Sequence, residues 1–434
     1  MTKLNDTHDP TRQSLVTAAN QPDCDFPIQN LPFGVFDSAG RNPRGGVAIG
    51  DQIFDLSAGL EAGLFSGAAL DAARAASCPV LNGLMARGVD SASALRARLS
   101  DLLRADGPER FRVEGLADRL LVPIASARIY LPVDARNFTD FVCSTFHALR
   151  ITRRPPDAEL PPVLQFMPVA YHGRASSVQV SGERVRRPHG QSKPADQPVQ
   201  FGPSKMFDFE LEVGAFIASG NELGSPIPIE SAASQIFGYC LLNDWSARDV
   251  QFWESMLGPF LGKSLATTIS PWVVTAEALR PFHTKVFKPR PDWPEPLPYL
   301  RSERDQREGG VDIDLEAYIL TQRMRDSRLQ PTRITNTNLR FAYWTFAQMV
   351  AHHTSNGCNL QPGDILGGGT ISGPSDDSRA CLAEYAEPLN LSNGEVRRYL
   401  EDGDEVIFKG RANREGYVSI GFGECRAHIL PAHG

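Results

Sequence analysis

No stretch of this chain approaches the roughly 20 consecutive apolar residues that a membrane-spanning helix needs, which argues against insertion into a bilayer. Positive charge is also scarce, with 44 lysines and arginines against 51 acids and a net charge of −7. A nucleic-acid partner that demands a basic face is therefore not expected, although a local basic pocket is compatible with that balance. The seven cysteines are odd in number and scattered, with no Cys-x-x-Cys pair, which excludes the usual thiolate metal and redox motifs and fits reduced thiols in a cytoplasm. The N-terminus lacks a basic segment followed by an apolar core, so no secretory signal is read. Internal repeats and low-complexity runs are missing too. What is left is an ordinary globular composition, 41% hydrophobic and 22% charged, in 434 residues, too long for one typical core. Two domains are expected.

Residues 1–22 are polar, carry few large apolar groups, and are expected to be disordered unless the fold captures them. From Phe26 onward short apolar segments alternate with glycine (Gly34-Val35-Phe36, Gly46-Val47-Ala48-Ile49-Gly50, Gln52-Ile53-Phe54-Asp55-Leu56), the pattern of a small β-unit with tight turns. A helix is expected over 91–105, with Leu95, Leu99, Leu102 and Leu103 near one face and Arg96, Arg98 and Arg104 elsewhere, covering one side of that unit. The segment 122–132 reads as the crossing into a larger, mainly sheet domain, giving boundaries of 23–131 and 132–434. There a proline-punctuated stretch with Arg153 and Arg154 suggests a lid-like loop. The five prolines at Pro289, Pro291, Pro294, Pro296 and Pro298 forbid both helix and ladder. A helix is expected over 341–353, stopped by Asn356-Gly357.

The chemistry concentrates in 205–268. Phe207-Asp208-Phe209-Glu210-Leu211-Glu212-Val213 alternates apolar and acidic residues, the signature of a half-buried strand with three acids on one face. Neighbouring like charges need open solvent or a cation. Asn243-Asp244-Trp245-Ser246-Ala247-Arg248-Asp249-Val250-Gln251 then sets another acid beside cationic and amide groups, after the apolar run 237–242, and Gly262-Lys263-Ser264 and Thr267-Thr268 follow. Such a collection suits a hard metal and an anionic substrate.

Plainer readings compete. Glu210 and Glu212 alone read as a solvated strand face, and Arg248 with Asp244 as a structural ion pair. The segment 258–264 fails as a phosphate loop because only three residues separate its glycines where four are required. His147 has no other histidine nearby, His352-His353 sits at a helix end, and Glu384 reads as a polar strand residue. Residue chemistry thus reaches a metal-dependent enzyme acting on an acidic small molecule, and names no reaction.

The blocks 23–36, 171–177, 243–249, 257–264, 356–360 with Pro362-Gly363-Asp364, and 369–374 resemble the fumarylacetoacetase family, in the same order, from about residue 23 to the end. The resemblance implies a mainly β protein with some α, built of a small N-terminal SH3-like barrel and a larger C-terminal β-roll domain. It further implies a homodimer and divalent-cation-dependent hydrolysis of a carbon–carbon bond in a 1,3-diketo acid, the step that ends tyrosine breakdown. On this likeness Asp140, Glu210, Glu212 and Asp244 are metal ligands, usually for calcium, and Lys263 and Thr267 match a second, magnesium site. His147 matches the general base and Glu384 its partner. Arg248, Gln251 and Lys263 match groups that stabilise the oxyanion and the departing carbanion, and Arg154, Tyr171, Gln251 and Thr370 match substrate contacts. All-oxygen ligation favours calcium or magnesium over zinc.

Two departures stand out. Val142 and Ser255 occupy positions where the family carries tyrosines that touch substrate oxygens, so an altered acyl specificity is expected. The rival expectations are a superfamily decarboxylase or tautomerase of an oxo acid, which needs no water-activating dyad, and a catalytically silent binding paralogue. Retention of both His147 and Glu384 favours hydrolysis.

Overall fold

The glycine-punctuated strands near the N-terminus pair in the order Leu121–Pro123, Gln52–Asp55, Arg44–Ile49, Phe33–Asp37, Arg128–Tyr130, every neighbour antiparallel. The structure, a computed structural model, describes residues 4–38, 40 and 42–434. This half-barrel is the SH3-like unit expected, and its apolar face packs on the helices Gly67–Ala76 and Val89–Leu103 through Val35, Val47, Ala72, Leu95 and Leu99.

Val89–Leu103 is the helix expected over 91–105, with one correction: Arg96 is fully buried instead of lying off the apolar face. Its guanidinium is held by the Asn30 carbonyl at 3.1 Å, by Glu277 of the large domain at 3.3 Å, and by Thr7 and the Gln29 carbonyl. A charge is tolerated inside only when it is paired and its donors are used. The same network captures the N-terminal segment. Asn5 donates to Glu277 at 2.7 Å, the His8 ring lies 2.9 Å from the Glu277 carbonyl, and Thr7 and His8 are buried. Residues 4–22 are therefore laid against both domains rather than disordered. Residues 1–3 lie outside the described residues.

The large domain stacks two sheets. One runs Val169–Gly173, Phe138–Val142, Ile365–Gly367, Leu211–Ile217, Ile236–Asp244, Thr267–Ile269, Val178–Val180, and the other Thr332–Asn338, Asp314–Leu320, Glu405–Ala412, Ile420–Leu430, Arg184–Arg186. Leu211, Val213, Leu241, Leu315, Ala317, Val406, Phe408 and Phe422 fill the space between them. Face-to-face stacking of this kind buries the inner side chains of both sheets.

The acidic strand differs from expectation in two ways. It breaks into Phe207–Asp208 and Leu211–Ile217, and both of its faces are buried. Its aromatic side packs Phe209 on Phe408 at 5.6 Å between ring centres and Phe207 on Trp245 at 5.6 Å, while Glu210 on the other side lines a pocket. The helix expected over 341–353 is Phe346–Thr354, because Thr345 and Gln348 form a capping box and set a later start.

Candidate active site

Strand register delivers four carboxylates to one point. Asp140 sits opposite Gly367 on one neighbour and Tyr171 on the other, Glu212 opposite Leu242, and Asp244 opposite Thr267, while Glu210 comes from the break in the acidic strand. Asp140, Glu210, Glu212 and Asp244 each bring a carboxylate oxygen within 4.8 Å of the others, and all four residues are buried. Gly367 is part of the cradle, since a Cβ there would stand 2.3 Å from Asp140 Oδ1 and 3.1 Å from Glu212 Oε2. Asp208, the first acid of the alternation, points elsewhere. It accepts Arg248 Nε at 2.9 Å and the backbone N–H groups of Leu382 and Ala383 at 2.8 and 3.0 Å.

Two cations answer the four acids. Lys263 Nζ donates to Asp244 Oδ2 at 2.7 Å and to Glu210, and Arg248 Nη1 lies 2.7 Å from Glu210 Oε1. Burial works to raise the Glu210 carboxyl, but Lys263 and Arg248 outweigh it and hold Glu210 well below the usual carboxylate range. Asp140 and Glu212 are pushed well up, by burial first and then by the neighbouring carboxylates. Asp244 is raised by burial against the pull of Lys263. Tyr171 donates to Asp244 Oδ2 at 2.5 Å, and Thr267 Oγ1 lies 3.4 Å from Asp244 Oδ1.

Among the described residues Asp140 Oδ1 and Glu212 Oε1 are buried oxygens with no hydrogen-bond partner, although the Gly369 N–H does serve Glu212 Oε2 at 3.1 Å. Buried acceptors left without donors are costly. Orphaned carboxylate oxygens in an all-oxygen donor set are consistent with a divalent hard cation, so the residues present fit a metal.

His147 stands above this floor. Its helix, Thr145–Ile151, begins at Ser144, whose Oγ accepts the His147 N–H at 3.2 Å and donates to the Ser372 carbonyl at 2.8 Å. The Nδ1 atom of His147 lies 2.6 Å from Glu384 Oε1, which also accepts Ser372 Oγ at 2.6 Å, while Arg150 reaches Glu384 Oε2 at 3.4 Å. A carboxylate partner places the ring proton on Nδ1 and leaves Nε2 free to accept another. Glu384 closes the turn Leu382–Glu384, the same turn that Asp208 grips from below while holding Arg248. Arg248 and the histidine pair are thus joined through Asp208.

A pocket of about 650 Å³ connects these groups and is lined by Asp140, Val142, His147, Tyr171, Glu210, Arg248, Gln251, Leu257, Pro259, Lys263 and Thr370, among others. Gln251 Oε1 accepts Arg248 Nη1 at 3.1 Å, while Arg248 Nη2 is a buried donor with no partner among the described residues. Glu212, Asp244, Thr267 and Glu384 lie behind the wall. Two expected substrate contacts are not brought to it: Arg154 is exposed, with Nη1 on the Glu159 carbonyl at 2.9 Å, and Ser255 is exposed, with Oγ on the Phe252 carbonyl at 3.3 Å. Arg154 is drawn outward by the helix turn that ends at Ile151, and Ser255 ends the helix Arg248–Glu254 on its solvent side. Sequence reading set Asp208 on the wrong face, beside Glu210 and Glu212, and missed Arg150, Ser372 and Gly367. Of the missed residues only Ser372 carried a signal, its place in the block 369–374.

Fold and site together define a two-domain enzyme type in which a carboxylate floor suited to a divalent cation and a histidine–glutamate pair share one pocket. Family models agree with this: "Fumarylacetoacetate (FAA) hydrolase C-terminal" matches residues 136–430 and "Fumarylacetoacetase N-terminal" residues 29–132. Fumarylacetoacetase of Bos taurus is 46% identical over 94% of this chain and 97% of its own length, and that of Oryza sativa subsp. japonica is 44% identical over 95% and 96%. In fold, the fumarylacetoacetate hydrolase of Exiguobacterium antarcticum superposes with a TM-score of 0.50 over 93% of this chain and 100% of its own, at 16% identity. The chain belongs to the fumarylacetoacetase family.

Proposed function

We propose that this protein hydrolyses fumarylacetoacetate to fumarate and acetoacetate, the last step of tyrosine breakdown. The observation that carries the reading is the His147 Nδ1 to Glu384 Oε1 contact of 2.6 Å in a pocket floored by four carboxylates. In this reading His147 Nε2 takes a proton from water as the hydroxide oxygen bonds to the ketone carbon of the fumaryl arm. Glu384 stabilises the imidazolium that results. Arg248, together with Gln251 and Lys263, receives the developing oxyanion, where preorganised donors act most strongly. The carbon–carbon bond then breaks. Fumarate keeps the water oxygen, and the acetoacetate carbanion takes the proton back from His147. Tyr171, Gln251 and Thr370 position the substrate, with Val142 as an apolar wall.

Asp140, Glu210, Glu212 and Asp244 are the residues proposed to hold a divalent cation, calcium or magnesium, with Lys263 and Thr267 fixing Asp244. A bound cation supplies Lewis-acid polarisation of the substrate's dicarbonyl oxygens. The protein is proposed to work as a cytoplasmic homodimer. All seven cysteines are free, no helix among the described residues is long and apolar enough to cross a membrane, and Phe252, Trp253, Met256, Leu257, Phe260 and Leu261 form an exposed apolar rim suited to association.

The test is turnover of fumarylacetoacetate with both products identified, with and without a chelator. His147→Ala is expected to fold and bind metal yet lose on the order of 10² to 10⁴ in rate. Equal rates for variant and parent point instead to decarboxylation or tautomerisation, and metal-independent cleavage removes the assigned role of the carboxylates.

A further inference from the structure

Besides the carboxylate floor, a second group of metal-ligating side chains is buried in one place: His147, Cys381 and Glu384, whose ligand atoms lie within 4.8 Å of one another. Cys381 caps the turn that ends at Glu384, so one short turn supplies two of the three groups and the His147 helix the third. As a hydrogen-bonded set the cysteine contributes little. Glu384 Oε1 already accepts His147 and Ser372 at 2.6 Å each, and the thiol, a weak donor, stands 3.7 Å away. What sulfur adds is softness. A nitrogen, a sulfur and a carboxylate oxygen form a donor set that prefers zinc and cadmium over the calcium or magnesium suited to the all-oxygen floor.

The spacing supports the same conclusion. Bonds of roughly 2.0 to 2.3 Å in a tetrahedral zinc site separate the ligand atoms by about 3.3 to 3.7 Å. The Cys381 to Glu384 distance of 3.7 Å is already in that range, and His147 and Glu384, at 2.6 Å, need to part by less than one ångström. A thiolate, a carboxylate and a neutral imidazole also cancel the charge of a divalent ion, which keeps a buried site neutral. Of the three residues only His147 lines the pocket, so a cation held by them sits behind the pocket wall, on the Nδ1 side of the ring.

We propose that His147, Cys381 and Glu384 form a site for a soft divalent cation of the zinc class, distinct from the carboxylate floor, and that its occupation stops turnover by engaging the base. Binding releases the thiol proton and the proton held between His147 and Glu384, and no redox step is involved. The inhibitory half rests on the function proposed above, whereas the ligation does not. Zinc and cadmium are titrated into the calcium- or magnesium-loaded parent and its Cys381→Ser variant, following both turnover and the thiolate-to-cadmium charge-transfer absorption. The parent is expected to be inhibited at zinc concentrations about tenfold or more below those the variant requires, and the cadmium band is expected only in the parent. X-ray absorption of the parent with one equivalent of zinc, which needs no variant, is expected to show one sulfur in the coordination shell. Equal zinc sensitivity in parent and variant, a cadmium band that survives Cys381→Ser, or a zinc shell made only of oxygen each overturns the proposal. Sulfur ligation in a parent without fumarylacetoacetate turnover overturns the function and leaves the site standing.

Discussion

The Glu254 carboxylate accepts the backbone N–H of Gly262 at 2.8 Å, one residue before Lys263. The same carboxylate takes the N–H groups of Phe260 and Leu261 at 2.8 and 3.0 Å. Three successive amides on one anion tie the end of the loop 255–262, whose Leu257, Gly258 and Pro259 form part of the pocket wall. Gly262 in turn presses on Gln251, where a Cβ would come within 2.7 Å of its backbone nitrogen. Glu254 therefore positions Gln251 and Lys263 without touching the pocket floor.

Glu254→Ala is expected to lower kcat/KM by about tenfold to a hundredfold, the usual cost of losing a supporting residue, and to weaken binding of the divalent cation. Glu254→Gln, which keeps an acceptor oxygen, should recover part of both. Steady-state kinetics with cation titrations check this, and a parent-like Glu254→Ala would show that the loop is held by other contacts.

The orphaned oxygens of Asp140 and Glu212 predict that a cation stabilises the fold. Anything that binds only the native state adds about 2.7 kcal/mol at one hundred times its dissociation constant. The melting temperature of the parent should therefore rise with calcium or magnesium and fall with a chelator, while Glu212→Gln should show little response. Calorimetry reads this without any substrate. A parent whose melting temperature ignores both additions has no such site.

Much of this site was legible because its chemistry is local in sequence. The alternation around Glu210 and Glu212 and the run from Asn243 to Gln251 placed acids and cations within reach of each other before any fold was known. Asp208 shows where that reading stops. By periodicity it belongs with Glu210 and Glu212, yet the strand breaks after it and its oxygens are taken by Arg248 and the turn at Leu382. Arg96 failed for the complementary reason. A helical wheel marks it as polar, while Glu277, far off in sequence, makes its burial tolerable. Pairings across such separations leave no local pattern. Arg154 and Ser255 were placed by likeness, and the direction of an exposed loop side chain follows from neighbours that a motif does not encode.

Asp305 gives a pH signature far from the pocket. Burial raises its carboxyl from 3.8 to about 6, against the hydrogen bond from Thr345 at 3.0 Å. The native state then holds a proton that the unfolded state has released, so stability is highest below about pH 4 as far as this group is concerned and is lost as pH rises through about 6. The full displacement, from 3.8 to about 6, corresponds to about 3 kcal/mol. Denaturant unfolding of the parent and of Asp305→Asn across pH 4 to 7 tests it, the stability difference between them shifting in favour of the variant as pH rises. A difference that stays constant with pH would mean that Asp305 titrates normally.

Val142 and Ser255 separate in the structure where the family resemblance joined them. Val142 lines the pocket from the strand that carries Asp140, whereas Ser255 is exposed and bonded to the Phe252 carbonyl. Val142 thus makes one wall smaller and apolar beside the carboxylate floor, which suits a bulkier or less acidic acyl arm than fumaryl. Val142→Tyr restores a hydroxyl there, and one added hydrogen bond is worth about 0.5 to 1.5 kcal/mol, or about twofold to tenfold. Fumarylacetoacetate should gain by that factor in kcat/KM, and a 1,3-diketo acid with a larger acyl arm should lose by at least as much. Ser255→Tyr, outside the pocket wall, is expected to change neither by more than about twofold. Measuring both substrates on the parent, the two single variants and the double variant separates the contributions. If Ser255→Tyr alone shifts the preference, the loop that carries it closes over the substrate during turnover, and the acyl wall is built from both positions.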